Sequence, residues 1–228
     1  VSKRSYEQFC GLATALDIVG ERWTLLLVRD LALGPQRYSD LLAGLPGLGT
    51  NLLAERLRSL EDAGVVRRAQ LPPPAATAVY ELTDSGRELR EALLPLAVWG
   101  AERLDFTDKA RHRRADWLLL SLRSRFRPEH AGGVNDTYQF HVDGHDFHVR
   151  VHDGDVDVRR GPAPDRADVV IHTDMATLYE LGLGRLTTTD AVRRKRATVE
   201  GSPEALARAA AILGSGEPLP LPAEPARR

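Results

Sequence analysis

The stretch LGTNLLAERLRSLEDAGVVRR, residues 48–68, decides the reading of the N-terminal half. Leu53, Leu57 and Leu60 fall at i, i+4 and i+7, one stripe of a helix over residues 51–63, and Asn51, Glu55, Arg58 and Asp62 fall on the opposite side. Thr50 is placed to cap the first free N–H groups, and Gly64 to end the helix in a left-handed conformation. A strand bearing Arg67 and Arg68 follows. The question this poses is whether the polar side of the helix meets a DNA groove or only solvent.

Outward from this helix, residues 10–20 (CGLATALDIVG) and 21–33 (ERWTLLLVRDLAL) carry helical apolar spacing, broken at Gly20 and ended by Gly34-Pro35. Residues 38–45 make a short third helix, and PGLG, residues 46–49, a tight turn. On the other side, VVRRAQ (65–70) and AVYEL (78–82) are two strands joined by LPPPAAT. Thr83 then caps a further helix over residues 84–104, in which Pro95 removes a backbone donor and predicts a kink. Helices, tight turn, amphipathic helix and hairpin make a winged helix-turn-helix, whose second helix enters the major groove while the wing lies along phosphates. Winged helices also serve as protein-binding modules.

Composition limits the alternatives. The 228 residues are 43% hydrophobic and 28% charged, enough for two ordinary domains. No run approaches the roughly 20 apolar residues of a membrane span, and VSKRSYEQFC at the start has no signal-peptide pattern, which predicts a cytoplasmic protein without a membrane partner. One cysteine, Cys10, excludes an intramolecular disulfide and a cysteine-clustered zinc site. A net charge of −1 requires that any DNA affinity come from locally clustered arginines. No nucleophile elbow, Walker loop or dinucleotide fingerprint is present, so no enzymatic activity and no cofactor are expected.

The motifs ALDIVGERWTLLLVRDLALGPQRYSDL (15–41), LPGLGTNLLAERLRSLEDAGVVRR (45–68), YELTDSGREL (80–89) and Trp99-Gly100 resemble the HxlR-type family of bacterial transcriptional regulators, relatives of the MarR group. The resemblance implies a DNA-binding homodimer, paired through the first helix and the helix after the wing, on an inverted-repeat operator. Leu89, Leu93 and Leu96 form a stripe suited to that pairing or to packing within the subunit. Asn51, Glu55 and Arg58 are the candidates for base contacts, and Thr50, Arg37, Arg67 and Arg68 for phosphates. Arg56, at the edge of the exposed side, could meet a phosphate or an acidic neighbour. Where family members often carry an arginine in the wing before its second strand, this chain has Thr77, which weakens minor-groove insertion. Cys10 matches the cysteine some members use to sense oxidants or electrophiles. Its basic neighbours Lys3 and Arg4 favour a thiolate and Glu7 opposes one; the plainer reading is a buried helix thiol.

Beyond a polar stretch around residues 106–114 the pattern changes, placing a domain boundary near Thr107. RRADWLLLSLRSRF (113–126) is an amphipathic helix. In DTYQFHVDGHDFHVRVHDGDVDVRR (136–160), Asp143-Gly144 suits a two-residue hairpin turn that sets Phe140 opposite Phe147, Tyr138 opposite Val149 and Gln139 opposite His148. One face is thereby apolar. A strand (167–173), a helix (174–186), a strand (196–201) and a closing helix (202–213) follow. ADVVIHTDMATLYELGLGRLTTTDAVRRKRATVEGSPEALARAAAIL, residues 167–213, resembles the sterol-carrier-protein fold, a mostly antiparallel sheet and helices around an apolar cavity. The resemblance implies either a hydrophobic ligand, facing Tyr138, Phe140, Phe147 and Val149, or a filled structural domain. His141, His145, His148 and His152, with Asp143, Asp146, Asp153 and Asp155, suggest a metal, but strand alternation scatters them, so solvated histidines on an exposed sheet face are expected and no metal site.

The expectation is an α+β chain: residues 1–106 a winged helix-turn-helix, 107–215 a sterol-carrier-like domain, 216–228 a proline-rich tail. Its function would be that of a dimeric repressor tuned by an apolar effector. Alternatives are a thiol-based redox-sensing regulator acting through Cys10, or a lipid carrier or ligand-modifying protein whose winged helix binds no DNA.

Overall fold

A computed structural model describes residues 5–73, 76–101, 126–182 and 184–214, together with residues 103, 117 and 123. Most of the helix expected over residues 113–126, the boundary near Thr107 and the tail lie outside the described residues. The chain divides into two units, Val1–Leu93 and Leu94–Arg228.

In the first unit, α1 (Gly11–Val19), α2 (Thr24–Leu31), α3 (Tyr38–Gly44) and α4 (Thr50–Asp62) precede a hairpin of β1 (Val66–Gln70) and β2 (Ala78–Leu82). Leu53, Leu57 and Leu60 of α4 are fully buried with Leu27, Val28 and Leu41, each contributing about 1.5–3 kcal/mol by its burial. Thr50 is not the cap. Gly49 holds the N-cap position without a side-chain bond, and Thr50 is already helical, because the Tyr38 hydroxyl donates to the Thr50 carbonyl at 2.6 Å and draws the first turn back toward α3. Gly64, at φ 69°, ends α4 as expected. Gln36, in the α2–α3 connection, bridges to Tyr80 through N–H···O bonds of 3.0 and 2.8 Å and adds a third short edge to the wing.

Helix α5 (Asp84–Ala101) runs on through Pro95. Thr83 caps it, accepting from the Gly86 N–H at 3.2 Å while its hydroxyl donates to the Gly64 carbonyl. Gly86 is required by space: a Cβ there would overlap the Val65 carbonyl oxygen and crowd Leu82. Of the stripe considered for dimer pairing, Leu89 and Leu93 pack into the core of their own unit, and Leu96 stays exposed beside Trp99.

The second unit is a five-stranded sheet in the order β5-β4-β3-β6-β7, from β3 (Asn135–Val142), β4 (His145–His152), β5 (Asp155–Arg160), β6 (Val169–Thr173) and β7 (Ala197–Gly201). Phe140 faces Phe147, Tyr138 faces Val149 and Gln139 faces His148 across β3 and β4. Asp143 and Gly144 both have positive φ, 47° and 79°, the requirement of a tight hairpin turn, and Asp153-Gly154 repeats it before β5. Only β3 and β6 pair in parallel. Helices α6 (Met175–Gly182), α7 (Thr188–Arg193) and α8 (Pro203–Ile212) accompany the sheet; Ser202 caps α8 by accepting from the Ala205 N–H at 3.1 Å.

The histidine face differs from the solvated one expected. His148 and Gln139 are buried there, because the connection after β5 crosses the face: Ala163 N–H donates to Gln139 at 2.7 Å, and the His148 ring faces the Gly161 carbonyl at 3.1 Å. His141 stacks on His172 at 4.5 Å between centroids and lies 2.7 Å from the Asp146 carboxylate. Among the described residues no three His, Cys, Asp or Glu side chains converge as a metal would require.

Candidate nucleic-acid interface and apolar pocket

Helix α4 turns one stripe, Asn51, Glu55, Arg58 and Asp62, outward, because the leucines three and four residues away are locked in the core. Its charges are not equally available. Arg56 is mostly covered: its guanidinium donates to Glu21 at 3.0 Å and Glu55 at 2.9 Å, and its Nε to the Arg22 carbonyl. The acidic neighbour, one of two partners considered for Arg56, is the one present, and it also engages the carboxylate of Glu55. Arg67 pairs with Glu81 across the wing at 2.7 Å. Arg68 pairs with Glu61 at 3.1 Å and lies over the Tyr80 ring. Arg58 and Arg37 are exposed and, among the described residues, have no hydrogen bond or ion pair. Arg22, unremarked in the sequence, adds an exposed cation beside α4, set over the Trp23 ring.

Cys10 is exposed, not buried. It occupies the N-cap position of α1, where the backbone N–H groups of Ala13 and Leu12 point at its sulfur and lower its pKa below that of an ordinary thiol. A thiol expected in a helix interior thus stands at the helix mouth. Lys3 and Arg4 lie outside the described residues. Around Cys10 the chain exposes Tyr6, Phe9, Leu12 and Leu16.

In the second unit an apolar pocket of about 60 Å³ opens between β6, β7 and the three helices, lined among others by Phe140, Ile171, Leu178, Ala191, Val199 and Ala209. Of the four residues expected to face a ligand, Phe140 does so. Tyr138, Phe147 and Val149 are buried on the same side of the sheet, but nearer β5, where Val149 meets Val158 across β4 and β5. The small side chains of α7 and α8, which leave the space, gave the signal that could have located it. Beside the pocket, Arg196 holds Glu180 bidentately at 2.8 and 2.9 Å and donates to Thr177 at 3.1 Å, tying β7 to α6. This pairing holds the Glu180 carboxyl below the usual glutamate range.

A buried leucine stripe behind an outward polar helix, flanked by an arginine-bearing hairpin, is the architecture of DNA-binding transcriptional regulators of the helix-turn-helix class. The chain belongs to the HxlR-like helix-turn-helix family, which matches residues 18–108, and residues 119–214 match the SCP-2 sterol transfer family. The HTH-type transcriptional regulator YvaP of Bacillus subtilis (strain 168), itself uncharacterized, is 41% identical over 91 residues, 40% of this chain and 84% of that protein. The likewise uncharacterized regulator sll1512 of Synechocystis is 33% identical over 96 residues, 42% of this chain and 71% of that one. Among solved structures, the reduced form of the transcriptional regulator YodB from B. subtilis is similar at 29% identity and a TM-score of 0.37, over 42% of this chain and 94% of that one. The described residues contain no helix long and apolar enough to cross a membrane.

Proposed function

We propose that the chain acts in the cytoplasm as a homodimeric repressor on an inverted-repeat operator, and that an apolar small molecule in the C-terminal domain modulates its grip. Residues 1–106 would form the DNA-binding and dimerisation domain, 107–215 the ligand domain and 216–228 a flexible tail. The observation that carries the DNA reading is the outward stripe of α4, where Asn51 and Arg58 stand exposed on a helix fixed from behind. Arg58 would read a base. Arg37 would hold a phosphate, and Thr50, Arg67 and Arg68 would lie along the backbone, the last two after exchanging Glu81 and Glu61 for phosphates. The effector would act by linkage, binding better in one dimer geometry and so changing the separation of the two recognition helices.

The test is fluorescence anisotropy on an operator selected from random DNA. Arg58→Ala should cost about 1–3 kcal/mol and relax specificity at one base pair, whereas Arg37→Ala should weaken all sequences alike and reduce the salt slope by about one. Equal losses on operator and random DNA from both variants would remove the division of roles. Mass spectrometry of the native dimer, compared with a denatured extract, would show whether an apolar molecule co-purifies.

The exposure of Cys10 at the mouth of α1 favours a second reading, an oxidant- or electrophile-responsive thiol. With one cysteine per chain, oxidation would end in an intersubunit bridge or a small-thiol cap. Cys10→Ser should abolish the oxidant response of DNA binding while leaving binding in reductant unchanged; a wild-type protein whose DNA affinity ignores oxidant would end this reading.

A further inference from the structure

The pocket between the sheet and the helices α6, α7 and α8 is apolar except at one point. Two threonines line it, Thr173 and Thr188. The Thr173 hydroxyl donates to the Arg196 carbonyl at 3.0 Å. Thr188 Oγ1 is buried and has no partner. An unpaired buried hydroxyl costs about 1–3 kcal/mol, and native folds leave few of them. Helix capping does not explain the residue, since the neighbouring Thr187 caps α7, accepting from the Asp190 N–H at 3.1 Å. Valine at position 188 would fill the same space without the cost.

The geometry points to a ligand that is apolar over most of its surface and carries one neutral hydrogen-bonding oxygen, paired with Thr188. The inference rests on the reading of this pocket as the effector site and narrows its chemistry. A plain hydrocarbon leaves the hydroxyl unpaired. A carboxylate or ammonium group would be desolvated with no countercharge, for no charged side chain is among the lining residues. Alcohols, phenols and ketones remain. Size narrows the class further: about 60 Å³ is less than half of the roughly 150 Å³ that admits benzene. A slender chain therefore fits the pocket as it stands, and a bulkier ring requires the six-residue α7 to move outward.

Two probes separate the hydroxyl from the apolar body: 1-pentanol and n-hexane, equal in length and differing by a terminal hydroxyl in place of a methyl. Titrated into the full-length protein and followed by the NMR methyl signals of Ile171, Leu178 and Val199, both should bind in the wild type. Thr188→Val should weaken 1-pentanol about three- to tenfold, the worth of one neutral hydrogen bond, and leave n-hexane within about twofold. The ligand-free variant should melt no lower than the wild type, since it loses an unpaired hydroxyl. An unchanged ratio of the two affinities, or a lower melting temperature for the ligand-free variant, overturns the pairing at Thr188 and leaves the apolar pocket standing. If neither probe shifts the wild-type signals, the effector-site reading falls and the pairing with it.

Discussion

Tyr138 has no exposed surface, and its hydroxyl donates at 3.0 Å to Asp136, itself buried. Arg208 from α8 completes the group, donating to both oxygens of that carboxylate at 2.8 and 3.1 Å. Burial, and then the adjacent Asp136 charge, push the phenol's pKa well above its ordinary value, since ionisation would place a second anion beside the first. The sign follows: the stabilisation is fully present below the unfolded phenol's pKa of about 10 and is lost as pH rises toward the folded value. Of the five tyrosines, Tyr138 should stay neutral at about pH 11 while the chain remains folded, and the phenolate absorbance missing there should appear on unfolding. Tyr138→Phe should remove that late step; its persistence would assign the step to another tyrosine. At this scale the sequence was legible where partners are near. The pairing of Arg67 with Glu81 follows from hairpin register, but Arg56 meets Glu21 from 35 residues away, which no local pattern reports.

Among the elements, the contact between α5 and the wing is the most demanding. Gly86 brings the first turn of α5 onto the Val65 carbonyl with no room for a methyl. Gly86→Ala should therefore cost about 1–3 kcal/mol, the usual effect of overpacking, read as a fall in the denaturation midpoint. A variant as stable as wild type would mean that this contact yields easily. The hairpin of β3 and β4 could be read to the residue, since alternation and the turn pair Asp143-Gly144 fix its register. The six residues of α7 were missed because so short a helix shows no periodicity. Parallel pairing of β3 with β6 was missed for another reason: it joins strands 26 residues or more apart, and nothing in either strand names its neighbour. The pocket went with it, because which half of the sheet stays open depends on where those late elements land.

For the whole molecule, the leading question is what covers its exposed apolar residues. Leu12 and Leu16 stand one turn apart on α1, and Leu96 and Trp99 one turn apart on α5, all exposed, with Arg103 stacked on the Trp99 ring at 4.1 Å. A second subunit would cover them. Leu12→Glu should convert a dimer to a monomer in sedimentation and weaken operator binding about a hundredfold or more, because two half-sites are no longer held together. A variant that remains dimeric would place the subunit contact elsewhere. Neither outcome depends on the ligand pocket, so assembly and sensing can be tested apart.

The bond from Thr83 to the Gly64 carbonyl and the tight seat of Gly86 have a mechanical meaning. They join the end of α4, the wing and the start of α5 into one piece, so that α5 behaves as the shaft of a lever. At 1.5 Å per residue its 18 residues extend about 27 Å, and a tilt of about 10° at the far end would swing Thr83, and the reading head fastened to it, by about 5 Å. That travel is comparable to one base-pair step and is enough to throw two such heads out of phase with successive grooves.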